Sequence, residues 1–174
     1  GKFYSRAIID SKIEFDTVFG PAYKGIPLVT STSIALLDNG KNCKVSFNRK
    51  EKKIHGDSGI IFGSPPNDRV IILDDVITSG LSINESKNLI DSFNGKLQAI
   101  YVSLDRMEVG DNGISAIKQI SELHGVPVFS IINIQDIIEY LSQNKKHHSK
   151  VESIKEYVEK YSWKIYSFSN SLSF

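Results

Sequence analysis

Apolar residues in this chain fall into two rhythms, short continuous runs and helical repeats, and the two alternate along its length. Phe3, Tyr4, Ala7, Ile8 and Ile9 recur at helical spacing, so residues 1–12 are expected to form a helix ending near Asp10-Ser11-Lys12. Glu14 to Phe19 reads as a short strand. Gly20 to Pro27 reads as a loop, because two glycines and two prolines in eight residues argue against regular structure. A helix is expected from about Leu28 to Leu37, closed by Asp38-Asn39-Gly40. Lys44 to Asn48 alternates as a strand does, Ile60 to Phe62 suits a brief strand, and Gly63 to Asp68 suits a turn.

Further on the same alternation continues. Val70 to Leu73 is an apolar run of strand length. A helical pattern of Ile83, Leu89, Ile90 and Phe93 follows it, stopped by Asn94-Gly95. Leu97 to Leu104 is the next strand. Ile114, Ile117, Ile120 and Leu123 then mark a helix running to His124-Gly125. Val128 to Ile132 is expected as a further buried strand and Ile134 to Leu141 as a helix. After a polar break over 143–150, Val151, Ile154, Tyr157, Val158 and Tyr161 line a last amphipathic helix. Strands alternating with helices favour a mainly parallel sheet covered on both faces, with right-handed crossovers. One domain, residues 1–161, accounts for the pattern, and residues 162–174 form a tail with no assignable role.

Composition adds exclusions. The chain has 174 residues, 40% hydrophobic and 24% charged, with a formal net charge of +1. That is an ordinary globular balance, long enough for a sizeable core. The small net charge gives no bulk electrostatic case for nucleic acid or a membrane surface. No apolar run approaches the roughly 20 residues a membrane span needs. The single Cys43 excludes an internal disulfide framework and fits a reducing, cytoplasmic setting.

Parallel sheets with helical crossovers bind ligands beyond the carboxyl ends of their strands, and four polar stretches follow predicted strands here. The first is Asp74-Asp75-Val76-Ile77-Thr78-Ser79-Gly80-Leu81-Ser82. Free N–H groups at a helix start favour an anion. Thr78, Ser79 and Ser82 add hydroxyl donors, and Gly80 lets the backbone approach closely. Asp74 and Asp75 are acceptors that suit sugar hydroxyls or hydrated Mg²⁺. A sugar phosphate would satisfy both halves. The same residues also make a good turn after a strand that simply ends in Asp.

The second stretch, Gly20 to Pro27, could present backbone N–H groups and the Lys24 ammonium to an anion, or carry an ordinary surface lysine. It is not a P-loop, since no G-x-x-x-x-G-K-[ST] string occurs in the chain. The third, Arg49 to Gly59, groups four cations and His55 around Glu51 and Asp57, and reads as a mobile exposed loop. Arg can grip phosphate bidentately and Lys can follow as a point charge. A solvated charge run has the same composition. The fourth, Asp105-Arg106, is either a ligand contact or an internal ion pair. Cys43 has no His-Asp pattern beside it and is read as packing. His124, His147 and His148 receive no role.

Taken as strings, these stretches resemble a known family. Val70 to Ser82 is similar to the phosphoribosyl-pyrophosphate (PRPP) signature of type I phosphoribosyltransferases, an apolar strand, Asp-Asp, two variable residues and a Thr/Ser/Gly turn. Phe19 to Pro27 resembles the pyrophosphate loop of the orotate phosphoribosyltransferases. Arg49-Lys50-Glu51-Lys52-Lys53-Ile54-His55-Gly56 resembles their flexible catalytic loop, with Arg49, Lys50, Lys53 and His55 on matching positions. Ser103-Leu104-Asp105-Arg106 resembles the segment whose arginine contacts orotate. The similarity runs from about Gly1 to Tyr157. Leu81, Ile54 and Ser58 depart from the usual pattern.

The resemblance implies the type I phosphoribosyltransferase fold and transfer of a ribosyl phosphate from PRPP to orotate. It implies PRPP contacts at Tyr23, Lys24, Arg49, Lys50, Lys53, His55, Asp74, Asp75 and Val76 through Ser82 (Val76, Ile77, Thr78, Ser79, Gly80, Leu81, Ser82). Orotate falls to Thr78 and Arg106, and Lys53, Asp74 and Asp75 become the catalytic set. Mg²⁺ is implied, held largely by PRPP and water since no dense carboxylate cage is visible. A homodimer is implied, with the 49–59 loop reaching the neighbouring subunit. Family members usually begin earlier, with a helix and a Ser-Pro-Tyr-Phe-type segment, so a sequence opening at Gly1 with Met107 as its only methionine is expected to be a fragment. A phosphoribosyltransferase for another base, and a non-catalytic PRPP-binding module, remain open on these residues.

Overall fold

A computed structural model describes residues 1–50, 59–109, 113–143 and 147–162. The chain order is α1 (Lys2–Ser11), β1 (Thr17–Gly20), α2 (Gly25–Asp38), β2 (Lys44–Asn48), β3 (Ile61–Gly63), β4 (Arg69–Asp74), α3 (Leu81–Ser92), β5 (Lys96–Asp105), α4 (Ala116–His124), β6 (Val128–Asn133), α5 (Ile134–Ser142) and α6 (His148–Tyr161). The six strands form one sheet in the order β3-β2-β1-β4-β5-β6. Every neighbouring pair is parallel except the edge pair β2–β3.

β4 reads as an unbroken apolar run because both of its faces are covered, as parallel strands require. Val70 and Ile72 point to one face, where they meet Ile83 and Ile90 of α3 and Ile120 of α4. Ile71 and Leu73 point to the other, against Tyr4 and Ile8 of α1 and Val29 and Leu36 of α2. Val18 and Phe19 of β1 divide the same way, opposite Ile71 and Ile72 in register. The chain leaves β1 toward β2 on one side and leaves β4 toward β5 on the other. The sheet order therefore reverses between β1 and β4, and a crevice opens at their carboxyl ends.

Several expectations are corrected. α2 begins at Gly25 rather than Leu28. Pro27 lies in its first turn, where a missing N–H costs nothing because that donor has no intrahelical partner. β6 is an edge strand and only half-buried, with Ile132 exposed, so the fully buried strand expected there is not found. Leu123 is exposed at the end of α4, and the helix is fastened instead by Ala116 and Ile120. α6 starts at His148, inside the expected polar break. Ser162, the first residue of the expected tail, is buried and bridges to Glu108.

Candidate functional site

The loops after β1 and β4 meet at the switch point because two glycines touch. A Cβ on Gly20 would lie 2.4 Å from the Gly25 carbonyl oxygen, and one on Gly25 would lie 2.6 Å from the Gly20 carbonyl carbon. Only glycine at both positions lets the end of β1 lie against the start of α2. The intervening loop is tied by the Gly25 N–H to the Pro21 carbonyl at 2.9 Å and by the Ala22 N–H to Asn48 Oδ1 at 2.8 Å. The Ala22–Tyr23 peptide is cis. Tyr23 and Lys24 are left exposed at the tip.

Across the crevice, β4 delivers Asp74 and Asp75 into two different environments. Asp74 is buried, 7% exposed. Its Oδ1 accepts from the Asp75 N–H at 2.9 Å and its Oδ2 from the Ser82 hydroxyl at 3.1 Å. Burial pushes its carboxyl above the ordinary value, and the neighbouring Asp75 charge adds to that, against those two hydrogen bonds. Asp75 is half-buried and ion-paired with Lys24 Nζ at 2.7 Å. Partial burial pushes its carboxyl up, but the Lys24 ammonium and the Val76 N–H outweigh burial, and the net direction is below the ordinary value. One carboxylate is thus held with a taste for a proton and the other kept charged.

The turn from Val76 to Gly80 leads into α3. Gly80 is its N-cap with φ +72°, a left-handed conformation that glycine adopts without penalty. Thr78, Ser79, Leu81 and Ser82 are exposed around it. Ile77 behaves differently. Its side chain is buried beside Phe19 and Ile72, so only its backbone is free for a ligand. A cavity of about 950 Å³ is lined by this turn, by Asp74, by Pro21 and Ala22, and by Asn48, Arg49 and Lys50.

Arg49 is braced for that position. Its guanidinium carbon lies 3.6 Å from the Phe62 ring centroid, and Phe62 stacks on Phe47 at 5.5 Å. Lys50 Nζ lies 5.4 Å from the Tyr23 ring centroid. Lys53 and His55 lie outside the described residues, as does the rest of the loop tip over 51–58. Arg106 leaves the carboxyl end of β5 and is paired, through Nη2, with Glu108 at 2.9 Å rather than with its neighbour Asp105. Asp105 instead accepts from the Met107 N–H at 2.7 Å.

Three supports were not foreseen. Tyr4 of α1 donates its hydroxyl to the Asp74 carbonyl at 2.6 Å, and burial pushes its own ionisation up. Ser103 of β5 donates both its hydroxyl, at 2.6 Å, and its N–H, at 2.9 Å, to the Asp75 carbonyl. Asn48 holds the β1 loop. Each acts across elements distant in sequence, and a helical or strand rhythm carries no information about such partners. Among the described residues no group of three or more His, Cys, Asp or Glu is placed to hold a metal ion.

Comparison with known proteins agrees with this geometry. The family model described as "Phosphoribosyl transferase domain" matches residues 2–130. An orotate phosphoribosyltransferase of Thiobacillus denitrificans is 41% identical over 161 residues, covering 92% of this chain and 76% of that protein. One from Saccharophagus degradans is 48% identical over 142 residues, covering 81% of this chain and 67% of its own length. The crystal structure of the Francisella tularensis orotate phosphoribosyltransferase aligns with a TM-score of 0.77 at 35% identity, over 92% of this chain and 77% of that one.

Proposed function

The chain belongs to the orotate phosphoribosyltransferases of the phosphoribosyl transferase family, and from that premise we propose how its site transfers the 5-phosphoribosyl group of PRPP to orotate. The products are orotidine 5′-monophosphate and pyrophosphate, in pyrimidine biosynthesis. The observation that carries this reading is the pairing, at one switch point, of the Asp74 strand end with a hydroxyl-lined helix N-terminus in a single cavity, with Asp75 the next residue along the chain.

The 5′-phosphate is assigned to the turn from Val76 to Ser82, which lines the cavity and offers the first N–H groups of α3 and the hydroxyls of Thr78 and Ser79, with the Ser82 hydroxyl available once it leaves Asp74. The ribose hydroxyls are assigned to Asp74 and Asp75. Pyrophosphate is assigned to Tyr23, Lys24, Arg49 and Lys50, together with Lys53 and His55. Orotate, an anion, is assigned to Arg106 and Thr78. As the bond from the anomeric carbon to pyrophosphate breaks, positive charge develops on the ribose. Its stabilisation is assigned to the Asp75 carboxylate, a role supported by the Lys24 pair that favours the ionised form. When substrate arrives, its phosphates compete with Asp75 for Lys24, which passes from an internal pair to the leaving group. The protein otherwise positions the two reactants, and fixing them together removes the entropic cost of their encounter.

Mg²⁺ is proposed as an ion that would be carried largely on PRPP oxygens and water, beside the adjacent acidic groups Asp74 and Asp75. When bound it supplies charge neutralisation at the pyrophosphate. A homodimer is supported by exposed apolar side chains on adjacent helices, Phe3 of α1 and Ile34 and Leu37 of α2. The 49–59 loop is proposed to reach the neighbouring subunit's site, and sedimentation of the protein reads the oligomeric state. A cytoplasmic setting is supported by the unpaired Cys43. No described helix is long and apolar enough to cross a membrane.

The test is a base panel with PRPP and Mg²⁺. Orotate is expected to be consumed, with uracil, adenine and hypoxanthine left unchanged. Consumption of a purine in its place would overturn the assignment of Arg106. In the same assay Lys53→Ala is expected to lower kcat more than any other loop substitution.

A further inference from the structure

We propose that Glu108 and Tyr157 are positioning residues that hold Arg106 in place for the base, which makes the C-terminal helix α6 part of orotate recognition. The inference rests on the reading of Arg106 as an orotate contact. An arginine projecting from a loop loses about 2 kcal/mol of rotamer freedom if it is ordered only when the ligand binds. Here it is ordered beforehand. Nη2 of Arg106 is tied to Glu108 Oε2 at 2.9 Å. The other Glu108 oxygen, Oε1, accepts from the Tyr157 hydroxyl. Both carboxylate oxygens are therefore occupied, and the Tyr157 bond fixes the carboxylate that the Arg106 head pairs with.

The backbone on both sides is pinned to match. The Ala116 N–H, opening α4, donates to the Glu108 carbonyl at 3.1 Å. The Val109 N–H donates to the Tyr161 carbonyl at 2.9 Å, and the Ser162 hydroxyl to the Arg106 carbonyl at 3.1 Å. Tyr157 packs on Tyr161, with ring centroids 5.1 Å apart. The internal pair does not exhaust the arginine. Its Nε is buried and has no acceptor among the described residues. Two roles are conceivable for Glu108, a brace and a competitor that fills the arginine until orotate displaces it. The Tyr157 bond, which fixes the carboxylate from behind, favours the brace.

The two roles give opposite signs. Steady-state kinetics on the full-length protein would compare the parent with Tyr157→Phe, Glu108→Gln, Arg106→Ala and the Tyr157→Phe/Arg106→Ala double variant. As a brace lost, Tyr157→Phe is expected to raise the KM for orotate roughly fivefold. Glu108→Gln, which replaces a charged acceptor by a neutral one, is expected to raise it roughly tenfold. The KM for PRPP should stay at the parental value, whereas a merely structural loss would raise both KM values together. In the Arg106→Ala background Tyr157→Phe should have no further effect, because its action passes through the arginine. Should one variant fail to fold, the other carries the same test. An orotate KM that falls or stays unchanged in both variants, or that adds fully to Arg106→Ala, overturns the proposal while leaving Arg106 as the base contact. An Arg106→Ala variant with parental orotate KM overturns that reading and this inference with it.

Discussion

Gly80→Ala isolates the turn on which phosphate binding is proposed to depend. The position has φ +72°, where an alanine costs about 1 kcal/mol over glycine. The new Cβ would also stand 2.3 Å from Ile120 Cδ1 and 3.1 Å from its Cγ1. Ile120 is in the core, 4% exposed, so its tip must rotate into packed surroundings, for about another 1 kcal/mol. The total is ~2 kcal/mol, and for a chain of this length each kcal/mol lowers the melting temperature by about 3 °C. A fall of about 6 °C is expected, together with weaker binding of PRPP, since the first N–H groups of α3 shift with the turn. A second substitution separates the two causes. Ile120→Val removes Cδ1 and alone costs about 1 kcal/mol. Combined with Gly80→Ala it should give ~2 rather than ~3 kcal/mol, a coupling of about 1 kcal/mol between residues in contact. The assay is thermal unfolding of the four proteins with PRPP titration of each. Additive effects, or a Gly80→Ala melting temperature within 1 °C of the parent, would refute this account of the turn.

Three further outcomes follow from charged groups at the two ends of the sheet. Asp74 has its carboxyl raised by burial, so the unfolded chain releases that proton first, and the folded state loses stability as pH rises from the ordinary carboxylate value through the folded one. Asp74→Asn should therefore melt higher than the parent at pH 7.5 and equally at about pH 3, while PRPP binding is lost, and a lower melting temperature at pH 7.5 would contradict the argument. Asp16 at the opposite end of the sheet is held down to about 2 by its hydrogen bonds and charge contact with Arg69. Its contribution is present above the ordinary carboxylate value and is lost as pH falls toward about 2, so the gap between parent and Asp16→Asn should close over that window in acid melts. Lys24→Ala removes an exposed pair, so the melting temperature should stay within 1 °C, while the Asp75 carboxyl moves up toward its ordinary value by NMR titration and the KM for PRPP rises at least tenfold.

Much of this architecture is written locally. Val70 to Leu73 announces a doubly covered strand because every residue is apolar, and the Asp-Asp and small hydroxylated residues after it can only follow such a strand as a loop. The convergence of four loops at one end then follows from parallel topology, but the order of the strands does not and comes from the structure. Where sequence reading failed, the deciding contact was remote or the rule was applied to the wrong position. Pro27 looked like a helix breaker, yet in the first turn of α2 it is harmless. Leu123 kept the helical period but is exposed near the end of α4, and β6 had apolar residues without a neighbouring strand on its outer side. Tyr4, Ser103 and Asn48 serve the site through one or two hydrogen bonds each across tens of residues. The pairing of Arg106 with Glu108 rather than the adjacent Asp105 depends on the left-handed Met107 between them, φ +55°, a backbone state that its residue type does not announce.

The most direct test of the central claim is the loss of orotate absorbance, followed with stoichiometric release of pyrophosphate, when the protein is mixed with orotate, PRPP and Mg²⁺. The account predicts that one pyrophosphate appears for each orotate consumed and that orotidine 5′-monophosphate is recovered. Binding of PRPP by the full-length protein without any consumption of orotate would contradict it and would leave a PRPP-binding module in place of an enzyme.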